Sequence, residues 1–176
     1  RTLFVLGSES AAGRAVMARY PVELSHSEYR MIRRWGSIPD SPDLTSVVVT
    51  PELVETCVQV SRDYFGMSLE DARAFILTSV EEPDREAHLV YLKDRPVGTY
   101  LFQHKELGEA FLYGVGIVTD LQGKGYGRQL MGLALVDVAK ASRVALDVDS
   151  ANTPALRLYR SCGFEQVFRI DYYLLQ

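Results

Sequence analysis

Cysteine is scarce. Cys57 and Cys162 are the only two. They lie far apart with no metal-ligand spacing, which argues against a disulfide framework or a zinc site. No apolar run approaches the ~18 residues of a membrane-spanning helix, and no basic-then-apolar signal segment opens the chain. Positive charge is not in excess: 19 Lys and Arg face 23 Asp and Glu, for a formal charge of −4. Such a surface is a poor general partner for nucleic acid or anionic lipid. Low-complexity sequence is missing too, since 13 Gly and 7 Pro among 176 residues fit neither a collagen-like nor a disordered composition. What remains is 47% hydrophobic and 24% charged. That suits one globular domain, or one domain with a fragment of another. A cytoplasmic protein is the default expectation. The first residue is Arg, not Met.

The chain alternates strand and helix signals. Leu3 to Leu6 reads as a strand and Ser8-Glu9-Ser10 as helix-capping chemistry. Residues 11–20 suit a helix, stopped by Pro21, and residues 22–32 a second strand. Residues 35–43, from Trp35 through two prolines, are the clearest linker. Val47-Val48-Val49 is a strand, and Thr50-Pro51-Glu52 starts a helix that Gly66 ends. Leu53, Cys57, Val60 and Tyr64 recur at helical period. Ser68 caps another helix with Leu69, Ala72, Phe75 and Ile76 as its buried stripe. Strands follow at 87–92, 96–102 and 109–118, the first two joined by a turn at Lys93-Asp94-Arg95. A helix is expected over 125–141, a strand over 144–148, a helix over 153–161 and a last strand over 164–174. The class is α/β.

The most informative stretch is Val115-Gly116-Ile117-Val118-Thr119-Asp120-Leu121-Gln122-Gly123-Lys124-Gly125-Tyr126-Gly127-Arg128. A strand ends, three alternate glycines follow, and an apolar helix begins. Glycine permits close backbone approach, and the first free amides of a helix together with its dipole favour an anion. Lys124 and Arg128 add positive charge. The spacing Gly123-x-Gly125-x-Gly127 fits neither the dinucleotide fingerprint nor a P-loop. A tight turn with no ligand is the plain alternative.

A second element narrows the choice. Gln122-x-x-Gly125-x-Gly127 is followed by Asn152-x-x-Ala155-x-x-x-Tyr159-x-x-x-Gly163-Phe164, in a βαβαβ setting. Together these resemble the GNAT family of N-acetyltransferases over roughly residues 44 to 176. The resemblance implies the acyl-CoA N-acyltransferase fold, a central mixed sheet flanked by helices with splayed strands at the CoA site. It also implies transfer of an acetyl group from acetyl-CoA, with no metal, to a primary amine of a small molecule or peptide.

The family pattern assigns roles residue by residue. The amides of Gln122, Gly123, Lys124, Gly125, Tyr126, Gly127 and Arg128 would hold the CoA pyrophosphate. Gly114 and Gly116 fall where the family's strand bulges, with Val115 beside the pantetheine arm. Ile117 would present its N–H to the thioester oxygen. Asn152 and Ala155 would contact the CoA arm, although Asn152 equally suits a helix N-terminus. Tyr159 would be the general acid for the leaving thiolate, against the alternative of an ordinary buried tyrosine. For the general base, Asp147 and Asp149 share one strand face, and Glu109, Tyr113 and His104 are further candidates; Asp149 also suits a plain turn. Thr119 stands where the family often has Pro. Cys162 reads as a small apolar filler. A non-catalytic CoA-binding module of the same fold and a protein–protein interaction domain are the competing functions.

Residues 3–31 echo residues 145–173 at an offset of 142. Met17 then meets Tyr159, Ser10 meets Asn152, and Val22 meets Phe164. The echo keeps the scaffold without the chemistry. Residues 1–43 are therefore expected to be the end of an upstream degenerate half plus linker, and 44–176 the acetyltransferase domain. An unrelated N-terminal decoration is the alternative. The same reading admits an upstream half or a homodimer as partner.

Overall fold

A computed structural model of the chain describes residues 3–6, 11–34 and 36–175. The cap expected at Ser8-Glu9-Ser10, and Trp35, lie outside the described residues. Eight strands occur among the described residues: β1 (Leu3–Leu6), β2 (Val22–Arg33), β3 (Leu44–Val48), β4 (Arg85–Leu92), β5 (Arg95–Lys105), β6 (Glu109–Ile117), β7 (Arg143–Asp149) and β8 (Glu165–Leu175). The helices are α1 (Ala11–Arg19), α2 (Val54–Phe65), α3 (Leu69–Glu81), α4 (Tyr126–Asp137) and α5 (Thr153–Ser161). None is long and apolar enough to cross a membrane. By contact the chain divides into two compact units, Arg33–Ala145 and Arg1–Ile32 with Leu146–Gln176.

In the unit Arg33–Ala145, β3, β4, β5 and β6 form an antiparallel meander in sequence order. Its core includes Leu89, Leu101, Leu112, Val58, Ile76 and Leu130, all fully buried. Each such side chain contributes about 1.5–3 kcal/mol of transfer free energy. Local chemistry sets most element ends. Gly66 closes α2 at φ +65°, its N–H donating to Arg62 O at 2.9 Å, a conformation glycine adopts without Cβ strain. The Ser68 hydroxyl accepts from Asp71 N at 3.1 Å and caps α3. Leu69, expected in the buried stripe, is instead exposed. It sits in the first turn of α3, while Ala72 and Ile76 carry the burial.

The segment after Trp35 is not a loose tether. Asp43 N donates to Gln129 Oε1 at 3.0 Å, and Gln129 Nε2 returns a bond to Asp43 Oδ2 at 2.8 Å. A Cβ at Gly132 of α4 would lie 2.2 Å from the Pro39 carbonyl oxygen. Only glycine lets that backbone cross the helix so closely.

In the other unit the strand order is β1-β8-β2-β7. β8 pairs antiparallel with both β1 and β2. The helices α1 and α5 begin and end at positions 142 apart. In the β2–β8 ladder Glu28 faces Ile170, the position 142 residues further on, and Ser27↔Asp171 and Tyr29↔Arg169 flank it symmetrically. An approximate two-fold axis thus crosses that pair, and the strand order reads the same from either edge. The boundary expected at 43/44 coincides with neither unit, because the first strand–helix–strand packs with the last.

Candidate active site

The glycine-rich turn grows out of the end of β6. Val118 N donates to Val97 O at 2.8 Å. Backbone amides alternate along a strand, so the Ile117 N–H points away from β5. Gln122 Nε2 donates to Ile117 O at 3.0 Å and braces the strand end. A 3-10 turn over Thr119–Leu121 follows, closed by Gln122 N on Thr119 O at 3.3 Å. Gly123 and Gly125 then take φ +73° and +89° and deliver the chain into α4. Arg128 N and Gln129 N both bond to Gly125 O. The amides of residues 123–127 make no hydrogen bond among the described residues. They are the run of unsatisfied donors that a helix N-terminus offers an anion, with Lys124 and Arg128 exposed beside them. Gln122 and Arg128, both expected among the binding amides, spend their N–H groups inside the turn.

Upstream, β6 carries a bulge. Its register with β5 shifts between Thr99 and Leu101, leaving one extra residue on β6 around Gly114 and Val115. Gly114 sits at φ +58°. Its carbonyl accepts from Thr99 Oγ1 at 2.8 Å and from the Tyr64 hydroxyl at 2.9 Å. The Tyr64 ring lies against Gly116, where an added Cβ would come within 2.2 Å of ring carbons.

In the other unit, β7 delivers a polar turn into α5. Leu146 and Val148 are buried and alternate with Asp147 and Asp149, as the period-two pattern requires. Asn152 caps α5, its Oδ1 accepting from Ala155 N at 3.1 Å. Tyr159 is buried on that helix, with its ring 6.0 Å from that of Phe164. Its hydroxyl makes no hydrogen bond among the described residues. Burial, with a smaller contribution from the Cys162 thiol, pushes the Tyr159 phenol up to about 12. It is therefore protonated at neutral pH, as a proton or hydrogen-bond donor must be.

Residues 51–164 match the Acetyltransferase (GNAT) family. The chain belongs to the GNAT acetyltransferase family. It is 36% identical over 104 residues to a mycothiol acetyltransferase of Kocuria rhizophila, covering 57% of this chain and 33% of that protein. It is 34% identical over 118 residues to a mycothiol acetyltransferase of Renibacterium salmoninarum, covering 65% of this chain and 32% of that protein. The aligned segment thus spans about a third of these curated relatives. A GNAT-family acetyltransferase from Colwellia psychrerythraea superposes with a TM-score of 0.75 at 10% identity, covering 99% of this chain and 64% of that one. That likeness shows the fold.

Within the GNAT framework the base candidates separate. Glu109 opens β6 and pairs with Arg143. The register sets Lys105 opposite Glu109 but Gly98 opposite Ile117. Glu109 is therefore at the far end of the strand from Ile117, about 25 Å away at strand rise. Sequence proximity on one strand hid this separation of Glu109 from Ile117. His104, opposite Ala110, shares that far end. Tyr113 donates to Ser79 Oγ at 3.1 Å. Asp147 is taken by Arg30, whose Nε and Nη2 both reach its carboxylate, the latter at 2.7 Å. That pairing raises the Arg30 pKa. Asp149 accepts from Ala151 N at 2.7 Å through one oxygen, the role of a turn residue. Both cysteines are buried and neither is in a disulfide; burial holds the Cys57 thiol up at about 12, so Cys57 is not poised as a nucleophile.

Two residues with a place at this site escaped sequence reasoning. Tyr64 registers only as part of a helical stripe, and Asp63 is not singled out at all. Asp63 Oδ2 accepts from Thr119 N at 2.6 Å and from Thr119 Oγ1 at 2.8 Å. The non-proline at 119, which carries an N–H, was the available signal.

Proposed function

We propose that this chain transfers an acetyl group from acetyl-CoA to a primary amine by direct attack on the thioester. The observation that carries the reading is the run of unsatisfied amides at residues 123–127, flanked by Lys124 and Arg128. This is the donor set a pyrophosphate needs. Acetyl-CoA is a co-substrate here, supplying an activated acyl group. The amides of residues 123–127 hold its pyrophosphate and Val115 lies along its pantetheine arm. The Ile117 N–H donates to the thioester oxygen as it gains charge. Asn152 and Ala155 start the helix that carries Tyr159.

The amine nitrogen forms a bond to the acyl carbon, the carbon–sulfur bond breaks, and the ammonium proton must leave. Asp149 is the carboxylate we assign to that proton, through the oxygen not used in its turn. Tyr159 serves the sulfur. Full proton transfer from a phenol near 12 to a thiolate of ordinary value about 8.5 runs uphill, so its larger contribution is a hydrogen bond to the departing thiolate. The names of the relatives make an amine related to mycothiol the first acceptor to test, ahead of peptide amines. The two-fold relation between the first and last strand–helix–strand supports reading residues 1–43 as the end of a degenerate half and its linker.

Two measurements test the reading. Saturating CoA should raise the melting temperature, since a ligand at 100 times its Kd adds about 2.7 kcal/mol. Thiol release from acetyl-CoA should then depend on an added amine. No thermal shift would remove the CoA site, and a shift without thiol release across an amine panel would leave a CoA-binding module.

A further inference from the structure

The Tyr64 side chain occupies a position that the proposed chemistry makes consequential. It comes from the last turn of α2 and packs against β6 at Gly116, one residue before Ile117. Gly116 is what admits it: a Cβ there would sit 2.2 Å from Cδ2 and Cε2 and 2.5 Å from Cζ of the ring. The phenol is anchored rather than merely packed. Its hydroxyl donates to the Gly114 carbonyl at 2.9 Å and contacts the hydroxyl of Thr99, which is fully buried. The Phe65 ring, 4.4 Å away and tilted by 48°, supports it from behind. On the opposite face of β6 the space is also filled. The Ile117 side chain is buried there, its Cδ1 near Gly98 together with that of Leu130.

We propose that Tyr64 limits the length of the acyl chain that can be transferred, confining the site to acetyl and closely related groups. The proposal rests on the reading of Ile117 as the thioester-oxygen donor. With that oxygen held by the Ile117 N–H, the acyl carbon lies one bond further on. A chain growing from it past β6 meets the Tyr64 ring on one face and the Ile117 and Leu130 side chains on the other. The three-point anchoring of the phenol makes it a rigid wall, not a side chain that swings aside. A pocket that cannot relax around one methylene discriminates by about 10- to 200-fold.

The test is the kcat/KM ratio for butyryl-CoA over acetyl-CoA with one amine acceptor, in the whole 176-residue chain. The wild type should favour acetyl-CoA by about tenfold or more. Tyr64→Ala should raise the butyryl-to-acetyl ratio by about tenfold, while Tyr64→Phe, which keeps the ring, should leave the ratio within about twofold. Tyr64→Leu, better packed than alanine, is the second variant should Tyr64→Ala not fold, and its ratio should also rise. A wild type that turns over both thioesters equally would overturn the proposal whatever the variants do. So would a folded, CoA-binding Tyr64→Ala or Tyr64→Leu with an unchanged ratio. Wild-type protein that neither binds CoA nor releases thiol from acetyl-CoA would instead defeat the underlying reading of the site.

Discussion

The backbone N–H of Thr119 donates to the carboxylate of Asp63 at 2.6 Å. The bond ties the last turn of α2 to the 3-10 turn that leads into the glycine-rich start of α4. On the other side Asp120 receives both Arg95 Nη1 at 2.9 Å and Nη2 at 2.8 Å, an exposed bidentate pair that lowers the Asp120 pKa through hydrogen bonding and raises that of Arg95. Two neighbouring residues of one 3-10 turn are thus held from two different elements. Thr119→Pro removes both donors to Asp63 yet installs the residue many GNAT proteins carry. Val118, at φ −48° and ψ +143°, already has the extended backbone a following proline requires. The variant should lose about 1 kcal/mol of stability in urea and keep CoA affinity within a fewfold by calorimetry.

Gly125→Val should abolish CoA binding. At φ +89° a β-branched residue is strained by about 1–2 kcal/mol or more. Among the described residues nothing lies within 4 Å of a Cβ built there, so that side chain would project into the open space where we place the CoA pyrophosphate. A folded variant that still shifts with CoA would show that the pyrophosphate binds elsewhere.

Tyr159→Phe should lower kcat by roughly 10- to 100-fold with little change in CoA affinity, a range set by the size of a general-acid or hydrogen-bond contribution. The pH dependence follows from the sign of the shift. The folded phenol titrates near 12, above its ordinary value of about 10. Its contribution to stability is complete below about 10 and is lost as pH rises through 12. The alkaline loss of activity assigned to Tyr159 should therefore lie above pH 10. A limb near pH 8–9 that disappears in Tyr159→Phe would contradict that assignment.

Removal of residues 1–34 should destabilise the chain severely. It strips β1 and β2 from β8, and it leaves Asp147, whose side chain is 18% exposed, without Arg30. An unpartnered β8 edge is also an aggregation template. Residues 35–176 should show loss of cooperative melting or aggregation by light scattering, whereas an independent N-terminal decoration would leave the melting curve in place.

Much of the fold is written locally. The capped helix at Thr153–Ser161, with Asn152 before it and Gly163 after it, appears with the expected ends, because its start and stop signals lie within two residues of the helix itself. The helix expected over residues 125–141 instead stops at Asp137. Ala139, Lys140 and Ala141 are good helix formers and carry no stop signal. The chain turns away where Ser142 N bonds to Gly108 O at 2.9 Å, a partner 34 residues distant. The site divides in the same way. The glycine-rich turn was legible because its glycines, its helix start and its cations are contiguous. The base candidates were not, since two acids on strands look alike until register sets one beside Arg143 and another beside Arg30.

Taken alone, the sequence determined the α/β class, the glycine-rich turn that leaves free amides at the start of α4, the helix carrying Tyr159 and the family to which the chain belongs. All of these are encoded in short-range patterns of glycine, caps and alternating apolar residues. Only the tertiary structure decided that Glu109 stands at the opposite end of β6 from Ile117, that Asp147 pairs with Arg30, that the first strand–helix–strand packs with the last, and that Tyr64 fills the face left open by Gly116. Each of those depends on which distant segments pair and in what register, and side-chain chemistry read along one chain does not contain that information.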